Sequence, residues 1–194
     1  MDKLTILNNA LRATGNNSVN VLNDPSDEYQ VANPAFERAI RFLTSRHTWP
    51  FATTNELLVR VPDGDNKSRR FSQNGFRLPP NTLHVKEVFW NTTFLTDYEI
   101  MGTVLSCRYD SEIYATVVKA PPADNWHPMA EEILTLYVEA GCLRGLNEDF
   151  SEATRREQRA ELLLEETRPH LDQQNPARNI YKSKIADARR RRRV

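Results

Sequence analysis

The chain has 194 residues with 39% hydrophobic content, enough for one sizeable domain or a domain carrying an inserted unit. Its 26 basic and 26 acidic residues cancel, but unevenly: from Pro176 to Val194 eight cations face one anion, Asp187, giving +7 and leaving −7 for the remainder. Two cysteines, Cys107 and Cys142, are too few for a disulfide framework and lack zinc-type spacing, and no apolar run reaches the roughly 18 residues of a membrane helix. The opening MDKLTILNNALRATG has neither a basic start before an apolar run nor a small-residue cleavage site, so a soluble, unexported protein of a reducing compartment is expected.

The elements follow in chain order. Leu4, Leu7, Ala10 and Leu11 form one helical stripe, with Asp2 as a candidate cap and Gly15 as a stop. After the turn residues Gly15 to Ser18, a short apolar loop (Val19, Val21, Leu22) leads to a second helix, whose face carries Phe36, Ile40, Leu43 and His47 before Trp49-Pro50 ends it. Pro34 lies within this stretch. A long helix from about Asp27, bent at Pro34, is preferred to one that begins at the proline.

From Phe51 to about Ala120 the period falls towards two. Strands are expected at Glu56–Val61, Phe71–Leu78, His84–Trp90, near Tyr98–Cys107, and at Ile113–Lys119, with turns at Pro62-Asp63-Gly64, Gln73-Asn74-Gly75 and Pro79-Pro80-Asn81. Pro121-Pro122 breaks the sheet. His127-Pro128 then opens a helix with Met129, Ile133, Leu136, Tyr137, Ala140 and Leu143 on one face, and Glu131 and Glu132 suit its positive end. A second helix follows from about Ser151 to Gln173, with Ala153, Ala160, Leu163, Leu164, Thr167 and Leu171 inward, and Pro169 should bend or end its last turn.

Each terminal helix has one apolar face to bury, so the expected fold is α+β. Residues 1–50 and 122–175 form a helical bundle, residues 51–121 an inserted antiparallel β subdomain, and residues 176–194 an extended basic arm.

No catalytic constellation emerges. His47, His84, His127 and His170 are isolated from one another and from the cysteines, and six glycines are too dispersed for a phosphate loop. Glu131 and Glu132 point about 100° apart on a helix and make no dyad. Arg155, Arg156 and Arg159, set among glutamates, read as a solvated helix face. No enzyme activity, cofactor, nucleotide or metal is expected. Trp49, Pro50 and Phe51, where the second helix meets the first strand, read as a hinge plug anchoring the β unit to the helices.

Several residues together resemble a known family. LNNALRATGNNSVNVLN, a helix, then SRHTWPFATTNELL is similar to the N-terminal region of the tail tubular protein A family, the head-to-tail adaptors, or gatekeeper rings, of short-tailed bacteriophages. Leu7, Leu11, Gly15, Val19, Leu22, Trp49, Phe51 and Leu57 occupy the places of that pattern. FRLPPNTLHVKEV and HPMAEEILTLYVEAGCLRGL resemble its later strand pair and late helix. Pro34, within a helix the family carries uninterrupted, and the arginine-ended arm depart from it.

The resemblance implies a structural virion protein of the tail connector, assembled from the host cytoplasm into a twelvefold homo-oligomeric ring. The ring would join the portal protein to the tail nozzle protein and continue the channel through which DNA passes without sequence-specific binding; no membrane is involved. Arginine forks suit carboxylates. The arm (Ile180, Tyr181, Lys182, Lys184, Ile185, Arg189, Arg190, Arg191, Arg192 and Arg193) is therefore expected to dock on an acidic portal groove, with its isoleucines and tyrosine as apolar anchors. The competing expectation is a nucleic-acid-binding accessory protein that clamps phosphates with the same arginines.

Overall fold

A computed structural model describes residues 2–121 and 126–172; the basic arm lies outside them. The described chain is α+β, with four helices and two antiparallel four-stranded sheets.

Helix α1 (Lys3–Ala13) starts where expected, Asp2 accepting from the Thr5 amide at 2.9 Å, and Gly15 follows it at φ 77°. Helix α2 (Asp27–Arg46) is capped by Ser26 and runs through Pro34 as one element. The loop between them is held by a clamp that periodicity does not reveal: the Asn8 amide donates to the Val19 carbonyl at 2.9 Å and accepts the Val19 N–H at 2.8 Å. Those bonds let Val19 enter the core at 4% exposure with its backbone satisfied.

The β region is divided more finely than the sequence pattern. The expected strand at Glu56–Val61 is two, β1 (Thr53–Leu57) and β2 (Val59–Arg60), belonging to different sheets. Leu58 is the crossover. Its side chain is buried between the sheets while its N–H donates to the Ile113 carbonyl at 2.8 Å, so the chain changes sheet without losing that bond. Of Phe71–Leu78 only β3 (Gly75–Arg77) is strand, because Phe71 is held by side-chain bonds from Asn66 and Ser68 in a loop.

Strand β4 (Thr82–Trp90) lies between left-handed Asn81 and Asn91, and β5 (Thr93–Phe94) returns from it. The stretch near Tyr98–Cys107 is a hairpin of β6 (Tyr98–Met101) and β7 (Val104–Cys107), and β8 (Ile113–Lys119) falls where expected. The first sheet has order β1-β8-β4-β5, the second β2-β3-β7-β6. Their facing sides enclose Phe76, Leu105, Val88, Ala115 and Val117.

Helix α3 (Pro128–Gly145) starts at a His127 cap, and α4 (Phe150–Asp172) continues through Pro169. Helix α3 touches α1, α2 and α4. A second core gathers Ile6, Leu7, Leu11, Phe36, Leu43, Trp49, Ile133, Leu134 and Leu164 around it, with Val118 of β8 and Ala52 reaching in from the β side. Residues before and after the β region thus bury the same surface.

Two glycines set the approach of α2 to α3. A Cβ on Gly141 would lie 2.5 Å from the Ala35 Cβ, and one on Gly145 would lie 2.4 Å from Val31 Cγ1. The spacing of four residues puts both on one face, so the helices meet more closely than larger side chains permit.

Candidate functional site

The chain passes between the helical and β regions twice, at Trp49 to Thr53 and beyond Pro121. Aromatic rings tie the two crossings together. Trp49 is fully buried, and its indole N–H donates to the Leu43 carbonyl at 2.8 Å, closing the end of α2. The His47 ring meets it edge-on at 5.0 Å, Phe51 lies 5.5 Å from it, and Trp126 follows Phe51 at 5.2 Å.

Pro50 begins a single 3-10 turn, Pro50–Ala52, in which the Ala52 N–H returns to the Trp49 carbonyl at 3.0 Å. The Thr53 hydroxyl donates to the same carbonyl at 2.7 Å. Trp126 in turn donates to the Pro121 carbonyl at 3.5 Å, the far edge of a hydrogen bond. The run from His47 through Trp49 and Phe51 to Trp126 therefore joins the exit of α2, the start of β1 and the approach to α3. Trp49, Pro50 and Phe51 are the residues that the sequence marks at this junction. Trp126, distant in the chain, carries no local sign of belonging to the same stack.

A second feature is a groove of about 590 Å³ among α2, α3 and α4. Its floor is small and apolar, Ala35, Ala39 and Gly141, with Phe42 and Tyr137 packed edge to face at 5.4 Å. One wall is polar: the Tyr137 hydroxyl donates to Glu161 at 2.6 Å, and Arg46 also pairs with Glu161 while its guanidinium lies over Phe42. Burial, reinforced by the Glu161 contact, pushes the Tyr137 phenol far above its ordinary range. Partial burial works to raise Glu161, but hydrogen bonds from Tyr137 and Arg46 outweigh it and hold the carboxyl below its usual range. At the other end Arg144 grips Glu157 with both terminal nitrogens, one at 2.7 Å. The groove has an apolar floor between two ion pairs, with Arg38 also on its lining.

Across α3 from Tyr137, Glu139 is buried at 6% exposure and meets Arg156 at 3.2 Å. Arg156 also meets Glu152 at 3.3 Å. Burial drives the Glu139 carboxyl upward, against the pull of Arg156. The sequence reading placed Arg156 on a solvated face, whereas the structure turns it inward onto this carboxylate. A glutamate among apolar residues at helical spacing was the available signal.

The histidines are dispersed: His47 belongs to the aromatic run, His84 to β4, His127 to the cap of α3, and His170 to the exposed side of α4. Both cysteines are buried, and burial pushes the Cys142 thiol up to about 12. Among the described residues no group of three His, Cys, Asp or Glu is placed to hold a metal ion, and no helix is long and apolar enough to cross a membrane. The arm residues Ile180 to Arg193 lie outside the described residues. No protein-family model matches the chain, and no curated protein matches it.

Proposed function

We propose that this chain is a structural head-to-tail adaptor of a tailed bacteriophage, one subunit of a ring that joins portal to tail nozzle and continues the DNA channel. In this reading residues 1–50 and 122–175 form one helical bundle, residues 51–121 an inserted β unit facing the nozzle, and residues 176–194 a basic arm reaching the portal. The observation that carries it concerns the residues of the family-like pattern. Leu7, Leu11, Val19 and Trp49 are dispersed in sequence but buried in one core, with Phe51 packed against it. A pattern that is one packing unit is harder to reach by chance than scattered matches. Leu22 and Leu57, at 48% and 57% exposure, lie outside that unit.

The charge distribution fits the same reading. Residues 122–175 hold twelve carboxylates and five arginines, so the whole −7 that balances the arm falls within them, most of it on α3 and α4. A wall of that sign weakens contacts with passing phosphates. The test is electron microscopy of the protein mixed with its cognate portal. A ring stacked on the portal is expected, and portal particles that remain bare would overturn the reading. The arm has its own test: deleting Lys182 to Val194 should leave a folded body with impaired portal attachment, and undiminished attachment would remove the arm from the proposal.

A further inference from the structure

The loop from Asn66 to Phe71 alternates between pinned and outward residues. The Asn66 side-chain oxygen accepts from the Ser106 hydroxyl at 2.8 Å and from the Ser68 N–H at 3.1 Å, and its amide donates to the Phe71 carbonyl at 2.6 Å. Ser68, 3% exposed, donates to Glu99 and accepts the Phe71 N–H at 3.0 Å. These bonds fasten the loop across β7 and β6. The residues between the anchors, Lys67, Arg69 and Arg70, are all exposed, and neither Lys67 nor Arg69 makes an ion pair among the described residues. Three cations are thus presented by backbone that is already ordered, which reduces the entropy lost when they bind.

Two further arginines stand at the same end of the second sheet. Arg70 approaches Asp97 at 2.7 Å and Arg108 approaches its other oxygen at 3.6 Å, yet their side chains remain 65% and 74% exposed. Each guanidinium has five N–H donors, most of them unused here. Arg60 and Arg108 line an open polar cleft of about 660 Å³ with Ser72, Asn74 and Tyr109. Nearby, Asp65 is paired with Arg77, and Glu99 keeps its charge while accepting from Ser68. Lys67, Arg69, Arg70 and Arg108 therefore stand against Asp97, Glu99 and Asp110, with Arg60 already engaged by the Gln73 carbonyl at 3.1 Å.

We propose that this end of the β region binds the phosphodiester backbone of nucleic acid without reading its sequence. Guanidiniums interspersed with hydroxyl and amide donors suit a file of phosphates. Tyr109, stacked on Trp90 at 4.1 Å and 14°, adds a flat ring at the cleft, which favours nucleic acid over an acidic peptide. The site goes beyond the connector reading and depends neither on a ring nor on the terminal arm.

The test uses the full chain with Arg189 to Arg193 replaced by alanine, so that the arm does not dominate, and fluorescence anisotropy with labelled duplex and single-stranded DNA of arbitrary sequence. Binding is expected on at least one probe, weakening steeply with salt; the tighter probe identifies the strand form. Adding Lys67→Ala, Arg69→Ala and Arg70→Ala should lower the log–log salt slope by about three, near one per phosphate contact, and weaken every sequence alike. The charge-retaining set Lys67→Arg, Arg69→Lys and Arg70→Lys should keep the slope, with circular dichroism confirming an unchanged fold in each variant. An unaltered slope in the alanine set, no salt-dependent binding in the background chain, or tighter binding to polyglutamate than to DNA would overturn the proposal.

Discussion

At the scale of single residues, the buried Glu139 has most of its environment working against its charge. Removing Arg156 leaves that carboxylate without its cation, and Arg156→Ala should cost about 2 kcal/mol at neutral pH, less than for a fully buried pair because Arg156 is 28% exposed. The sign of the pH dependence follows from the upward shift. A carboxyl whose folded pKa lies above its unfolded value binds its proton more tightly when folded, so stability is lost as pH rises through the folded pKa and recovered below it. The deficit of Arg156→Ala should therefore shrink on acidification, which urea unfolding at two pH values will read; a deficit that grows in acid would contradict the assignment. Trp49 offers a simpler measurement. Trp49→Ala should cost about 3 to 5 kcal/mol as a cavity, whereas Trp49→Phe should lose less, chiefly the hydrogen bond to Leu43 at about 1 kcal/mol.

At the scale of elements, the contact of α2 with α3 is set by what is missing from Gly141. Alanine there gains about 1 kcal/mol of helix propensity, but its Cβ falls 2.5 Å from that of Ala35. Overpacking should win, so Gly141→Ala is expected to destabilise by about 1 kcal/mol net, and Ala35→Gly should relieve part of it in a double-mutant cycle. An additive cycle would show that the helices do not meet there. The helices were largely legible in sequence because caps and apolar stripes are local: Asp2 and His127 mark their starts, and α2 crosses Pro34 because the rest of its stripe is intact. The β region was less legible. A sheet change at Leu58 looks from sequence like one continuing strand, and the pinning of Phe71 depends on Asn66 and Ser68, whose partners Ser106 and Glu99 come much later. Similarly, Trp49 and Phe51 announced a joint, while Trp126 and the Arg156 contact with Glu139 depend on folding that no local period encodes.

At the scale of the molecule, the two cores meet at β8, whose Val117 faces one and Val118 the other, while the aromatic run packs on the helical core where the chain enters and leaves the β region. The wild-type chain should unfold in a single calorimetric transition. Phe51→Ala, which interrupts the run between Trp49 and Trp126, should separate the helical and β transitions or broaden them into one that fails the van't Hoff test; a sharp single transition at lower temperature would mean that β8 alone couples the parts. The joint between the ends of the chain has another consequence. The Asn16 side chain donates to that of Asn147 at 2.8 Å, and Asn147 donates to the Thr14 carbonyl at 3.1 Å, so the turn between α3 and α4 fastens the end of α1 across more than a hundred residues. During synthesis α1 and α2 emerge long before the surface that buries their leucines, while the β region between them can complete its pairing from neighbouring segments. The first helices must therefore wait with their apolar faces exposed to water and chaperones until the last helices leave the ribosome, making the nascent chain most vulnerable to aggregation before α3 arrives.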